Sequence, residues 1–204
     1  MRFFLLLFWM TMEIVQFPHP ALRWKSKPVT EIDAQLRSTV REMFSLMYEA
    51  KGVGLAANQV ALPFRFFIVN VTGNEALTDE EHVFINPEIT QRKGSGEGEE
   101  GCLSLPEIYG SVRRADQITV EAFDLDGRPF EIQLTDLPAR VVQHETDHLD
   151  GVLFPDRMTD VARREIEPAL DDFETLFRRG QSAGEIPSDQ DLQDRLKQIE
   201  TSRR

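Results

Sequence analysis

The segment Gln143-His144-Glu145-Thr146-Asp147-His148-Leu149-Asp150-Gly151 restricts this chain more than any other. His144 and His148 stand four apart, so a helix projects both imidazoles from one face. That arrangement can put two nitrogens on one divalent metal, with Glu145 beside it as a general base. Helix is the expected local structure because Leu137, Val141, His144 and His148 share its period. Thr135 or Asp136 can cap the start, Pro138 suits the first turn, and Gly151 fits just past the end. The plain alternative is two surface histidines with a chance acidic neighbour, since this short pattern also occurs without metal.

The 204 residues suffice for one well-packed domain. A formal net charge of −12 argues against a nucleic-acid surface or a polybasic membrane patch. The single cysteine, Cys102, excludes an internal disulfide framework and fits a reducing cytoplasm. An apolar run from Phe3 to Met10 follows Arg2, too short to span a bilayer and lacking a small-residue cleavage site. Residues 1–11 are therefore expected to be a dispensable extension, 12–180 the metal-dependent domain, and 181–204 a mobile polar tail. A short helix around Leu192 to Ile199 is allowed within that tail.

Prolines at 18, 20 and 28 make Glu13 to Pro28 read as extended arms. Thr30 and Asp33 resemble a capping box ahead of Ile32, Leu36, Val40, Met43, Phe44 and Met47, which follow helical spacing. Gly52 to Val60 is either a tight turn or a loop whose backbone approaches a ligand, with Gln59 offering an amide. Phe66 to Val71 and Val83 to Ile85 read as strands, and the Gly- and Glu-rich stretch Arg92 to Gly101 as a solvated loop. Ile118, Val120 and Ala122 alternate, as do Phe130, Ile132 and Leu134, with the turn Asp126-Gly127 between them. Downstream, Val161, Ile166, Leu170, Phe173 and Phe177 predict a helix broken or kinked at Pro168.

A catalytic metal of this type takes three protein ligands and keeps one position open. Two residues compete for the third place, Cys102 and Glu167. Glu167 with Asp171 suits an HExxH zinc metalloprotease, but it precedes Pro168, which disfavours the helical backbone that arrangement needs. A third possibility is a metal-stabilised peptide-binding module without turnover. Against it, Glu145 is neither a ligand nor an obvious packing residue.

Three segments in order, Gly52-Val53-Gly54-Leu55-Ala56-Ala57-Asn58-Gln59, Glu100-Gly101-Cys102-Leu103-Ser104 and Gln143-His144-Glu145-Thr146-Asp147-His148, resemble the three motifs of the peptide deformylase family. The likeness extends from about Glu13 to Arg179 and departs at Thr146, where the family usually has a larger apolar residue. The resemblance implies an α+β fold with antiparallel strands wrapped around a central HExxH helix. It implies Fe(II) held by Cys102, His144 and His148, with zinc, nickel or cobalt as substitutes, and Glu145 as the acid–base group. Gln59 and the Leu103 amide would line the oxyanion site, and Glu100 with Arg114 would support the metal segment. The backbone around Val53 and Gly54 is expected to pair with an extended peptide, and Val53, Leu137 and Val141 to wall the methionine side chain. The implied substrate is the N-formyl-methionyl end of nascent chains, the product formate. The expected form is a cytoplasmic monomer without nucleic-acid or membrane partners.

Overall fold

A computed structural model describes residues 12–202, so the apolar stretch 1–11 lies outside the described residues. A 3-10 turn at Pro20–Arg23 interrupts the extended arm, and α1 (Ala34–Glu49) follows. Its N-cap is Asp33, whose Oδ1 accepts from the Leu36 amide at 2.7 Å; Thr30 is not the capping residue that the sequence suggests. The strands are β1 (Gly54–Ala56), β2 (Phe66–Val69), β3 (His82–Lys93), β4 (Gly96–Cys102), β5 (Leu105–Arg114), β6 (Gln117–Phe123) and β7 (Pro129–Thr135). Then come α2 (Asp136–Leu149), α3 (Asp160–Ala183) and α4 (Asp189–Ser202).

Five strands form one antiparallel sheet in the order β1-β2-β3-β6-β7, and β4 pairs with β5 in a separate two-stranded sheet. The expected hairpin is present, with Ile118 opposite Leu134, Val120 opposite Ile132 and Ala122 opposite Phe130. Alternation delivers Ile118, Val120 and Ala122 to one face, where they meet Ala139, Val141, Val142 and Leu149 of α2. A further core cluster, around Leu105, Val112, Phe154 and Leu170, joins β5, the 3-10 turn Phe154–Arg157 and α3, and Phe154 of that turn stacks on His144 of α2. Ten of the fourteen residues of α2 are consequently buried, among them the polar run Gln143 to His148. This is the α+β arrangement around a central HExxH helix.

Three local expectations need correction. The Gly- and Glu-rich stretch is not a loop, because β3 runs to Lys93 and β4 occupies Gly96–Cys102. Pro168 does not break α3, which continues from Asp160 to Ala183. The carbonyl that loses its partner belongs to Arg164, on an exposed position where water can replace the missing N–H. Thr135 stands at the N-cap of α2, but its side chain makes no capping hydrogen bond.

The supposed mobile tail is also corrected over its described part. Helix α4 docks on the 3-10 turn Pro20–Arg23, burying Leu192 and Leu196, and Trp24 Nε1 donates to Glu200 at 2.6 Å. Few apolar residues are needed because two leucines four apart form one stripe. Removing 187–204 should cost about 3 kcal/mol from the two leucines alone. A melting point unchanged by the deletion, with Trp24 emission unshifted, would show that the helix contributes nothing.

His19 caps that same turn: the Ala21 amide donates to its Nδ1 at 3.1 Å, and Phe177 meets the ring edge-on. Burial pulls its pKa down to about 4, against a weaker upward pull from Asp189. The folded value thus lies below the ordinary 6.5, so the unfolded chain binds the proton better. Its stabilising effect is complete above pH 6.5 and is lost as pH falls toward 4. Asparagine keeps a capping acceptor but does not titrate. His19→Asn should therefore lose about 2 kcal/mol less than the parent in denaturant titrations at pH 7 and 4.5. Parallel losses in the two proteins would contradict this.

Candidate metal centre and active site

Cys102 ends β4, and His144 and His148 leave α2 one turn apart toward it. The Cys102 sulfur lies 3.2 Å from His148 Nε2, and one donor atom from each of the three residues lies within 4.8 Å of the others. Among the described residues this is the one group of three His, Cys, Asp or Glu side chains close enough to share an ion. Glu167 is exposed on α3 and is not part of it. The zinc-protease arrangement therefore fails through distance and exposure, not through the backbone of Glu167, which is helical after all.

The two imidazoles are set differently in the metal-free site. His144 Nδ1 meets Glu100 Oε2 at 3.0 Å, which leaves Nε2 free to coordinate. Burial opposes charge on His144, but hydrogen bonding to Cys102 and Glu100 outweighs it and lifts the metal-free pKa to about 10. A bound dication acts in the opposite sense. Burial, reinforced by the neighbouring His144 and Arg114 charges, keeps His148 well below the ordinary value and hence neutral, as a ligand must be. One sulfur and two imidazoles make a donor set of mixed softness that suits a first-row divalent metal.

Gln59 sits in the 3-10 turn Ala57–Val60 directly after β1. Its Oε1 accepts from the Ala56 amide at 2.8 Å, which turns Nε2 toward Ser104 Oγ at 3.2 Å and Cys102 Sγ at 3.4 Å. Glu145 is buried, and its Oε2 has no hydrogen-bond partner. Burial pushes its pKa up to about 7, where a carboxyl group can both take and return a proton. At Gly54 an added Cβ would lie 2.5 Å from Glu145 Oε1 and 3.0 Å from Val141 Cγ1. Backbone approach to the Glu145 carboxylate therefore demands glycine at position 54.

Gln59, Glu100, Cys102, His144 and Glu145 line a cleft of about 570 Å³ that also takes in Val53, Gly54, Leu103, Leu137 and Val141, while His148 lies buried behind Cys102. Every residue expected at the site is thus brought to one place, Glu100 and Arg114 included: Arg114 Nε and Nη2 each reach a Glu100 oxygen at 2.9 Å. A scan against family models matches residues 11–164 to polypeptide deformylase. The chain is 45% identical over 183 residues to the peptide deformylase of Rhodopirellula baltica, covering 90% of each chain. It is 48% identical over 150 residues to that of Acidobacterium capsulatum, covering 74% of this chain and 88% of the relative.

The chain belongs to the polypeptide deformylase family.

A solved peptide deformylase from Plasmodium falciparum superposes with a TM-score of 0.80 at 37% identity, covering 82% of this chain and 98% of that one. As a member of the family the chain is a hydrolase, so the module without turnover is set aside. Thr146, the departure from the family's usual residue, is buried without strain because its hydroxyl donates to the Val142 carbonyl at 2.7 Å.

Several supporting residues escape a sequence reading. Asp147 accepts from Arg114 Nη1 and from Arg157 Nη2, the latter at 2.6 Å. Ser104 holds the Gln59 amide, and Asn58 Nδ2 donates to the His148 carbonyl. Arg140 reaches Glu100 Oε1 at 2.8 Å. Asn58, Ser104 and Asp147 lie inside the three motif segments without a role of their own there, and Arg140 stands four residues before His144 on the same helix face.

Proposed function

We propose that this chain removes the N-formyl group from the N-terminal methionine of newly made proteins, releasing formate, with Fe(II) held by Cys102, His144 and His148. Zinc, nickel or cobalt could fill the same donor set. The observation that carries the reading is the close approach of those three donors beside a buried carboxylate with a free oxygen. The fully described cleft and the family membership support it.

When bound, the metal supplies Lewis acidity that makes water a nucleophile near neutral pH and polarises the formyl carbonyl. Glu145 takes the proton from that water and later delivers it to the departing amine, so its unpartnered Oε2 is the atom that works. Gln59 Nε2, already aimed toward the sulfur, and the Leu103 amide receive the oxygen on which charge develops. Val53 and Gly54 can pair with an extended peptide backbone, while Leu137 and Val141 flank the methionine side chain. We place the enzyme in the cytoplasm as a monomer, where a reducing medium protects Cys102.

The test is formate release from a formyl-methionyl peptide by protein purified without oxygen and analysed for metal. Stoichiometric metal without formate overturns the assignment. Formate lost in air by the iron form, but retained by the nickel form, supports Fe(II) as the working metal.

A further inference from the structure

The three donors come from two elements, the sulfur from β4 and the imidazoles from α2. Among the described residues, strand β4 pairs only with β5 and has no ladder to the five-stranded sheet. Something other than sheet hydrogen bonding must therefore fix the sulfur relative to the imidazoles. We propose that Arg140 is a positioning residue that locks the thiolate-bearing strand against the imidazole-bearing helix, an inference that rests on the trio being the metal site.

Arg140 lies one turn before His144 on α2 and crosses the face of β4 that carries residues 96, 98 and 100. Nη1 reaches Glu100 Oε1 at 2.8 Å, the β5 carbonyl of Val112 at 2.9 Å and the Gly98 carbonyl at 3.5 Å, while Nη2 reaches the Gly96 carbonyl at 3.2 Å. One planar fork thus ties both strands of the hairpin to the helix, a geometry that a lysine ammonium cannot copy. Gly98 leaves room for it: an added Cβ there would lie 2.8 Å from Arg140 Cζ. Glu100 also holds His144, so the lock bears on both the strand and the first imidazole. Although Arg140 borders the cleft, its donors are directed to these acceptors and not to substrate.

The full-length metal-free protein is titrated with Co(II) against a chelator, with the sulfur-to-cobalt absorption band recorded and the metal-free melting point measured. Arg140→Met keeps the bulk and removes the donors. It should weaken cobalt binding about 10- to 100-fold and shift or weaken the sulfur band, because Cys102 no longer sits at the preset distance. Arg140→Lys should recover only part of the loss. Gly98→Ala retains Arg140 but displaces its guanidinium, so it should act in the same direction. It also keeps the inference testable if Arg140→Met does not fold. The double variant should bind no more weakly than the weaker single one, since both break one contact. A lower melting point with parental affinity and band would make Arg140 merely structural and overturn the inference, as would parental cobalt binding by Gly98→Ala. Failure of the parent itself to bind cobalt would instead overturn the metal site.

Discussion

Glu145→Ala should bind metal as the parent does and lose about a thousandfold or more in turnover, within the range expected when a general acid–base group is removed. The separation follows from the geometry. Glu145 is not among the three donors that lie within 4.8 Å of one another, so its loss leaves the coordinating set intact. Its Oε2 has no protein partner, so its removal breaks no hydrogen bond of that atom. Burial already strains the charged form, lifting the pKa to about 7, so the desolvation cost that alanine relieves offsets the loss of the Ala56 hydrogen bond and of side-chain packing. The measurements are metal content, a melting curve and steady-state formate release. Loss of metal together with activity would make Glu145 a ligand and dismantle the division of labour proposed here. A rise in KM at constant kcat would make it a binding residue.

What the sequence makes legible depends on whether a residue's partner is local. The helix of the two histidines, the hairpin feeding it and the α1 stripe are written in periods of 3.6 and 2, and all appear as expected. Strand β4 is illegible because Gly96, Gly98 and Glu100 look solvated until Arg140 from α2 covers them. Composition reports the bare strand, whereas the fold supplies a distant cation. Helix α4 misleads in the same way, since two leucines suffice only once the turn after His19 provides their seat. Pro168 shows the reverse: a strong local rule predicts a break, but an exposed carbonyl at Arg164 makes the lost hydrogen bond cheap. At the site itself the chemistry-bearing residues are legible because the family motifs carry them. The network that orients them is not, because Asp147, Arg157 and Ser104 have meaning only through contacts made across the fold.

Arg114→Met should destabilise the metal-free protein by about 3–5 kcal/mol, the cost of breaking a buried ion pair by deleting one member. Arg114 is buried with its partners, gives two hydrogen bonds to Glu100 at 2.9 Å and a third to Asp147. Methionine fills the volume but satisfies neither carboxylate. Asp147 keeps Arg157 and partial access to solvent, so most of the cost falls on Glu100, which is left with Arg140 and His144. In the parent, burial alone would raise the Glu100 pKa, yet the Arg114 and His144 hydrogen bonds hold it far below the ordinary 4.5. Its contribution is therefore present above that ordinary value and is lost only as pH falls through the depressed one. In Arg114→Met the depression shrinks, so acid unfolding should begin at higher pH than in the parent. Adding Glu100→Gln to Arg114→Met removes a buried charge that has lost its bidentate partner and should return about 1 kcal/mol or more. Denaturant titrations of the parent, both single variants and the double variant close the cycle. A cost below about 1 kcal/mol for Arg114→Met would place this pair with exposed ion pairs, contrary to its burial.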